Sequence, residues 1–261
     1  MPFADRNGQQ LYYEETGSGS PALVFSHGLL LDREMFAPQV GFFQESHRCI
    51  AWDQRGHGKT VEDAEPFDYW DSAEDCLAIM NHAGIEQAVL IGLSQGGFLS
   101  LRAALSAPER IEGLVLIATQ SGVDSDDVND GFLELRAEWS ANGPANAGAD
   151  VAAMLLGDKD HATPWLEKWS SEPKSRLGPC IDTLIGRDDI TARLHEITCP
   201  TLVIHGDADN AINQSLGIAL ANELTNNQGF VSVAGAAHAP TLTHADTVNS
   251  AISSFLQALR T

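Results

Sequence analysis

Val89-Leu90-Ile91-Gly92-Leu93-Ser94-Gln95-Gly96-Gly97 runs a short apolar stretch of strand character straight into a serine with glycine two residues before it and two after. A segment with helical spacing, Gln95 to Ala107, follows at once and is closed by Pro108. Strand, Gly-x-Ser-x-Gly and helix in that order form the context of a nucleophile elbow, a tight turn that projects the Ser94 hydroxyl. The helix also aims its first free N–H groups and the positive end of its dipole at whatever Ser94 attacks.

Outward from the elbow, apolar runs alternate with helical segments. Phe3 to Glu15 reads as a hairpin turning at Asn7-Gly8, and further strands fall at Ala22 to Phe25, Arg48 to Trp52, the elbow run, Gly113 to Ala118, Thr201 to His205 and Gly229 to Val233. Helical spacing covers about Arg33 to Gln44, Tyr69 to His82, Asn213 to Leu224 and Thr247 to Leu259. This alternation predicts an α/β fold with a mostly parallel, eight-stranded sheet covered by helices on both faces. Between Ser121 and Thr198 the pattern turns helical, polar and strand-poor. We therefore expect a core of residues 1–122 and 199–261 with a helical cap inserted at 123–198. The acidic run Asp124-Ser125-Asp126-Asp127 reads as a solvated helix start, because it lacks the glycine and closing glutamate of a calcium loop.

A chain of 261 residues can bury a sizeable core without covalent staples. Its 36 acidic against 15 basic residues, a formal charge of −21, disfavour nucleic acid and anionic membrane as partners, since both reward clusters of Lys and Arg. A solvated acidic surface explains the imbalance, and adaptation to salt is the second reading. Cys49, Cys76, Cys180 and Cys199 are far apart without metal-site or redox spacing, so we expect reduced, buried thiols and no metal. Met1 to Arg6 has no basic region followed by an apolar run, and no stretch approaches a membrane span. A cytoplasmic protein fits both facts.

Serine is a weak nucleophile at neutral pH and needs a base, which in turn needs a group to hold its tautomer. Ser94, then an aspartate at 207 or 209, then His238, each just beyond a different strand, supply all three in the order Ser, acid, His. With Ser26-His27-Gly28, Asp53-Gln54-Arg55-Gly56-His57-Gly58, Gly206-Asp207-Ala208-Asp209 and Gly235-Ala236-Ala237-His238 around the elbow, the chain resembles the α/β-hydrolase fold family from end to end.

That resemblance implies Ser94 as nucleophile, His238 as general base and Asp209, last in its Gly-x-x-Asp loop, as the acid, with Asp207 capping the turn or facing solvent. Some members carry the acid after the strand that ends here at Ala118-Thr119-Gln120, where no carboxylate stands. The oxyanion hole would use the backbone amides of Gln95 and Leu29. A serine nucleophile argues against resemblance to epoxide hydrolases and haloalkane dehalogenases, which use aspartate. Lactonases, cofactor-free perhydrolases and carbon–carbon bond hydrolases remain compatible, and the nearest likeness is to small carboxylesterases and enol-lactonases. The expected reaction is hydrolysis of a small-molecule carboxylic ester or lactone without a cofactor. An intact elbow and triad weigh against a ligand receptor that does not turn over.

Of the other histidines, His27 and His57 read as loop-packing residues, His205 as a core side chain and His244 as the one rival to His238. Asp53 and Arg55 are expected to brace their loop by an ion pair. Trp139, Met154, Leu155 and Trp165, with Trp169 and Phe132, are expected to wall an apolar acyl or aromatic pocket above Ser94.

Overall fold

The Asn7-Gly8 turn, with φ of 55° and 92°, closes a hairpin between β1 (Phe3–Arg6) and β2 (Gln9–Thr16), the left-handed pair that matches the twist of its strands. The computed structural model describes residues 3–60, 66–157 and 159–260, so Met1 and Pro2 of the N-terminal stretch lie outside the described residues. Six further strands complete the sheet: β3 (Ala22–Ser26), β4 (Cys49–Trp52), β5 (Ala88–Leu93), β6 (Ile111–Ile117), β7 (Thr201–Gly206) and β8 (Asn227–Val233). Their order is β1-β2-β4-β3-β5-β6-β7-β8, with β1–β2 and β2–β4 antiparallel and every other pair parallel. Strands β3, β5 and β7 are buried along their whole length, as continuous apolar runs covered on both faces must be.

The expected helix at Arg33 to Gln44 begins as a 3-10 turn over Arg33–Phe36, with the Asp32 carboxylate accepting from the Glu34 N–H at 2.9 Å. An α-helix, α1 (Ala37–Phe43), starts afresh at Pro38, whose ring suits the first turn and whose missing N–H costs nothing there. Helix α2 (Tyr69–His82) is fixed by a reciprocal cap, Asp68 on the Asp71 N–H and the Asp71 side chain on the Asp68 N–H. It buries Ala73, Cys76, Leu77 and Met80 at helical spacing and stops before Gly84, whose φ is 66°. Helix α3 (Gln95–Ser106) follows the elbow and has Phe98, Leu99 and Leu101 buried around its circumference, which puts it against the sheet on one side and other elements elsewhere.

Four helices stand between β6 and β7: α4 (Asp126–Asn142), α5 (Pro144–Leu156), α6 (Lys159–Ser171) and α7 (Leu177–Ile185). Asp126 and Asp127 sit in the first turn of α4, where their charge opposes the helix dipole favourably. Trp139, Val151, Leu155, Trp165 and Trp169 from these helices join Leu23, Phe25, Ile91 and Ile117 of the sheet in one continuous apolar cluster. Beyond β7 come α8 (Gln214–Glu223) and, after β8, α9 (Pro240–Thr243) and α10 (Ala245–Ala258). The closing helix is thus split, because His244, with φ −133° and ψ 42°, leaves helical geometry. Among the described residues no helix is long and apolar enough to cross a membrane. The four thiols are free; Cys49, Cys76 and Cys180 are buried and Cys199 only half-buried.

Gly96 lies so close to β3 that a Cβ there would fall on the Ser26 carbonyl, far inside van der Waals contact, and one on Gly92 would fall on the Gly96 carbonyl. Both obstacles are backbone and cannot swing aside. Gly96→Ala is therefore expected to lower the unfolding free energy by about 1–3 kcal/mol, the range for overpacking, in urea denaturation. A loss below a few tenths would show that β3 and α3 can separate freely.

Candidate active site

Ser94 joins β5 to α3 at φ 54° and ψ −117°, a conformation rarely held by a side-chain-bearing residue and costing about 1–3 kcal/mol. The surroundings over-determine it. The Ser94 N–H donates to the Ile117 carbonyl at 2.9 Å, and the Thr119 hydroxyl donates to the Ser94 carbonyl at 2.9 Å. Thr119 is a support that the sequence reading passed over; its position just past β6 is the signal that could have found it.

Asp209 and His238 come from neighbouring loops beyond β7 and β8. A Cβ on Gly206 would meet the Ala236 carbonyl, so glycine lets the two loops touch, and the Ala208 N–H donates to that carbonyl at 3.0 Å. Asp207 accepts from the Gly235 N–H at 2.7 Å and so ties the loop that carries His238. Asp209 is buried, and one of its oxygens takes the N–H groups of Ala211 and Ile212 at 2.8 and 3.0 Å. The other lies 2.8 Å from His238 Nδ1 and 3.1 Å from His205 Nε2. Burial alone would push the Asp209 carboxyl up; the charge of His238 and the hydrogen bonds from His205, His238 and the Ile212 amide outweigh it and hold the carboxyl well below the usual range. With Nδ1 of His238 facing a carboxylate, Nε2 is the nitrogen left to act as a base.

His205 is thus more than the core residue expected from its place in β7. It is fully buried, and its Nε2–H reaches both the Ile212 carbonyl at 2.8 Å and Asp209. Its spacing of four residues before Asp209, across a tight turn, was the available clue. His244 bonds Thr243 at the head of α10, and it is His238 that shares a cavity with Ser94.

The loop that follows β3 supplies Leu29, which lines the same cavity, and the amide of Gln95 lies directly after Ser94 at the head of α3. Two histidines stitch this loop to the one after β4. His27 Nε2 accepts from the Gln54 N–H at 2.9 Å while its Nδ1–H donates to the Gly28 carbonyl at 2.8 Å. His57 Nε2 accepts from the Leu30 N–H at 3.2 Å and its Nδ1–H donates to the Arg55 carbonyl at 2.8 Å. Each ring therefore works as a neutral imidazole, one nitrogen donating and the other accepting. Burial, the dominant cause, lowers His27 to about 4 and His57 to about 3. The expected bracing by Asp53 and Arg55 takes a different form. Asp53 pairs with Arg33 at 2.9 Å and accepts from the Lys59 N–H at 2.8 Å, whereas Arg55 pairs with Asp75 at 2.6 Å. The two ion pairs thus anchor the loop outward, Arg55 to α2 and Asp53 to the start of the Arg33 turn.

Above Ser94 lies a cavity walled by Leu29, Leu30, Phe98, Phe132, Leu135, Val151, Met154, Leu155, Leu184 and Ile212, with Ser94, Asp124 and His238 as its ionisable or reactive groups. Met154, Leu155 and Phe132 stand where expected. Trp139, Trp165 and Trp169 do not. Trp139 packs edge-to-face on Trp169 with centroids 5.6 Å apart, and Trp165 lies under Lys168 at 5.1 Å. All three rings are buried instead in the apolar cluster that joins the inserted helices to the sheet, where the Trp169 indole N–H donates to the Leu30 carbonyl at 2.6 Å. Lys168 adds ion pairs to Asp32 and to Glu34, the latter at 2.9 Å. Among the described residues no group of three His, Cys, Asp or Glu side chains could hold a metal ion.

Comparison with known proteins agrees with this architecture. The family described as alpha/beta hydrolase fold matches residues 21–245. A non-heme haloperoxidase of Rhodococcus erythropolis is 28% identical over 99% of this chain and 100% of its own. A 3-oxoadipate enol-lactonase of Acinetobacter baylyi is 27% identical over 79% of each chain. The solved structure of a thermophilic esterase from Thermogutta terrifontis superposes with a TM-score of 0.90 at 26% identity, covering 100% of this chain and 98% of that one.

The two buried imidazoles set a pH dependence of stability. Their ordinary value near 6.5 applies in the unfolded chain, which takes up protons that the folded state refuses until about pH 4 for His27 and about pH 3 for His57. Stability should therefore fall with pH from about 6.5 downward, by up to about 1.4 kcal/mol per pH unit for each ring. Unfolding free energies measured between pH 7 and 4.5 should fall more steeply in the wild type than in His57→Gln, by close to one proton. Equal slopes would mean that His57 is not held neutral.

Proposed function

The chain belongs to the α/β-hydrolase fold family and is a hydrolase, and from the meeting of Ser94, His238 and Asp209 we propose that it cleaves small carboxylic esters or lactones through an acyl-enzyme on Ser94. The observation that carries this reading is the Asp209–His238 contact of 2.8 Å beside a cavity shared by His238 and Ser94.

In this reading, Nε2 of His238 takes the Ser94 proton as the hydroxyl oxygen attacks the carbonyl carbon, and Asp209, held ionised, stabilises the imidazolium. The negative charge that develops on the carbonyl oxygen is met by the amides of Leu29 and Gln95. Collapse of the tetrahedral species expels the alkoxide, which leaves with the proton from His238. A water activated by the same nitrogen then attacks the acyl-enzyme, releasing the acid and restoring Ser94. His205 and Asp207 position the acid and the base respectively.

Residues 123–198 would act as a cap whose α4 and α5 supply the roof over Ser94, since Phe132, Leu135, Val151 and Met154 come from them. The free thiols support a reducing, cytoplasmic setting. Peroxide as an alternative acyl acceptor, giving a peracid, is a second reading, because a relative from Acinetobacter calcoaceticus, 25% identical over 97% of this chain, is named a bifunctional esterase/perhydrolase.

A para-nitrophenyl ester of a short acyl chain tests the proposal. Ser94→Ala and His238→Ala are each expected to lower kcat by about 10³-fold or more with circular dichroism unchanged. Full activity in His238→Ala would exclude His238 as the base.

A further inference from the structure

The cavity above Ser94 has one permanently charged group in its wall, and that group is already matched. Asp124, between β6 and α4, lines the cavity, and one of its carboxylate oxygens meets Arg187 at 2.9 Å while the other accepts from the Gln120 amide at 2.8 Å. Arg187 stands directly behind this wall. Its guanidinium donates to the carbonyls of Leu184 and Gly122 at 2.8 and 3.0 Å and stacks over Phe98 at 4.7 Å, and both Phe98 and Leu184 line the cavity. The Arg187 side chain is 1% exposed and its Nη2 has no hydrogen-bond partner among the described residues, so this cation is short of acceptors and not reached by solvent.

We propose that Asp124 is a specificity-determining residue that neutralises Arg187 and thereby restricts the site to esters or lactones whose acyl chain carries no charge. The inference rests on the reading of Ser94 as the nucleophile of ester cleavage. A carboxylate on the acyl chain would leave water for apolar walls and meet a negative side chain in place of a cation, which is costly without a partner. An uncharged chain loses nothing there and gains burial against Phe132, Leu135, Met154 and Leu184. Removing the Asp124 charge leaves a buried guanidinium with unused donors next to the cavity, the arrangement that accepts a carboxylate. Removing Arg187 instead leaves the carboxylate of Asp124 unopposed and should push discrimination further the same way as in the wild type.

The readout is the ratio of kcat/KM for the mono-para-nitrophenyl ester of glutarate, which carries a free carboxylate, to that for para-nitrophenyl hexanoate. In the wild type the neutral ester should be favoured at least tenfold. Asp124→Asn should raise the ratio at least tenfold and Arg187→Met should lower it. A ratio within twofold of the wild type in either soluble variant overturns the proposal. If Asp124→Asn does not fold, the Arg187→Met arm decides alone. Ser94→Ala, run with both esters, separates this outcome from failure of the underlying reading: residual full activity refutes the nucleophile, whereas an inactive Ser94→Ala with unmoved ratios refutes only the role of Asp124.

Discussion

The contact between the backbone of Gly96 and the carbonyl of Ser26 is the constraint on which the site depends. It forces the head of α3 against the end of β3, with no room for even a methyl group between them. Ser94, at φ 54°, stands at this junction, with Leu29 in the loop after β3 and Gln95 at the head of α3.

Around that contact the polar groups are arranged so that burial does not leave them unmatched. His27 and His57 each use both ring nitrogens on the backbone of the two loops flanking β3 and β4. Asp209 collects two amide donors and two imidazoles, which is why it remains an anion in a buried place. The inserted helices are fastened to the same loop through the Trp169 bond to Leu30 and the Lys168 ion pairs with Asp32 and Glu34. Helix α6 and the loop after β3 are thus joined directly, by one hydrogen bond and two ion pairs.

The order of strands and helices was legible because each depends on local pattern: Asn7-Gly8 makes a hairpin turn whatever surrounds it, and α2 lies at Tyr69–His82 as its apolar spacing requires. Ser94, His238 and an aspartate at 207 or 209 were legible for a related reason: each sits where a strand ends, and a parallel sheet collects its strand ends along one edge. The choice of Asp209 rested on the family resemblance. The tryptophans were not legible in this way. An apolar face says that a ring is buried but not against what, so Trp139 and Trp165 could be assigned to a pocket that they only support from behind. Asp53 and Arg55 do brace their loop by ion pairs, but their partners, Arg33 and Asp75, come from elements distant along the chain and so could not be named from local pattern.

By itself the sequence determined the fold, the edge on which chemistry would sit and the three side chains that could perform it, because periodicity and motif spacing act through the nearest residues. Only the tertiary structure decided that His205 shares Asp209 with His238, that Thr119 holds the elbow, and that Asp124 and Arg187 cancel each other in the cavity wall. These are pairings between residues up to dozens of positions apart. Their existence depends on distances of about 3 Å that no pattern along the chain encodes, since a hydrogen bond or an ion pair loses its strength within one further ångström or two.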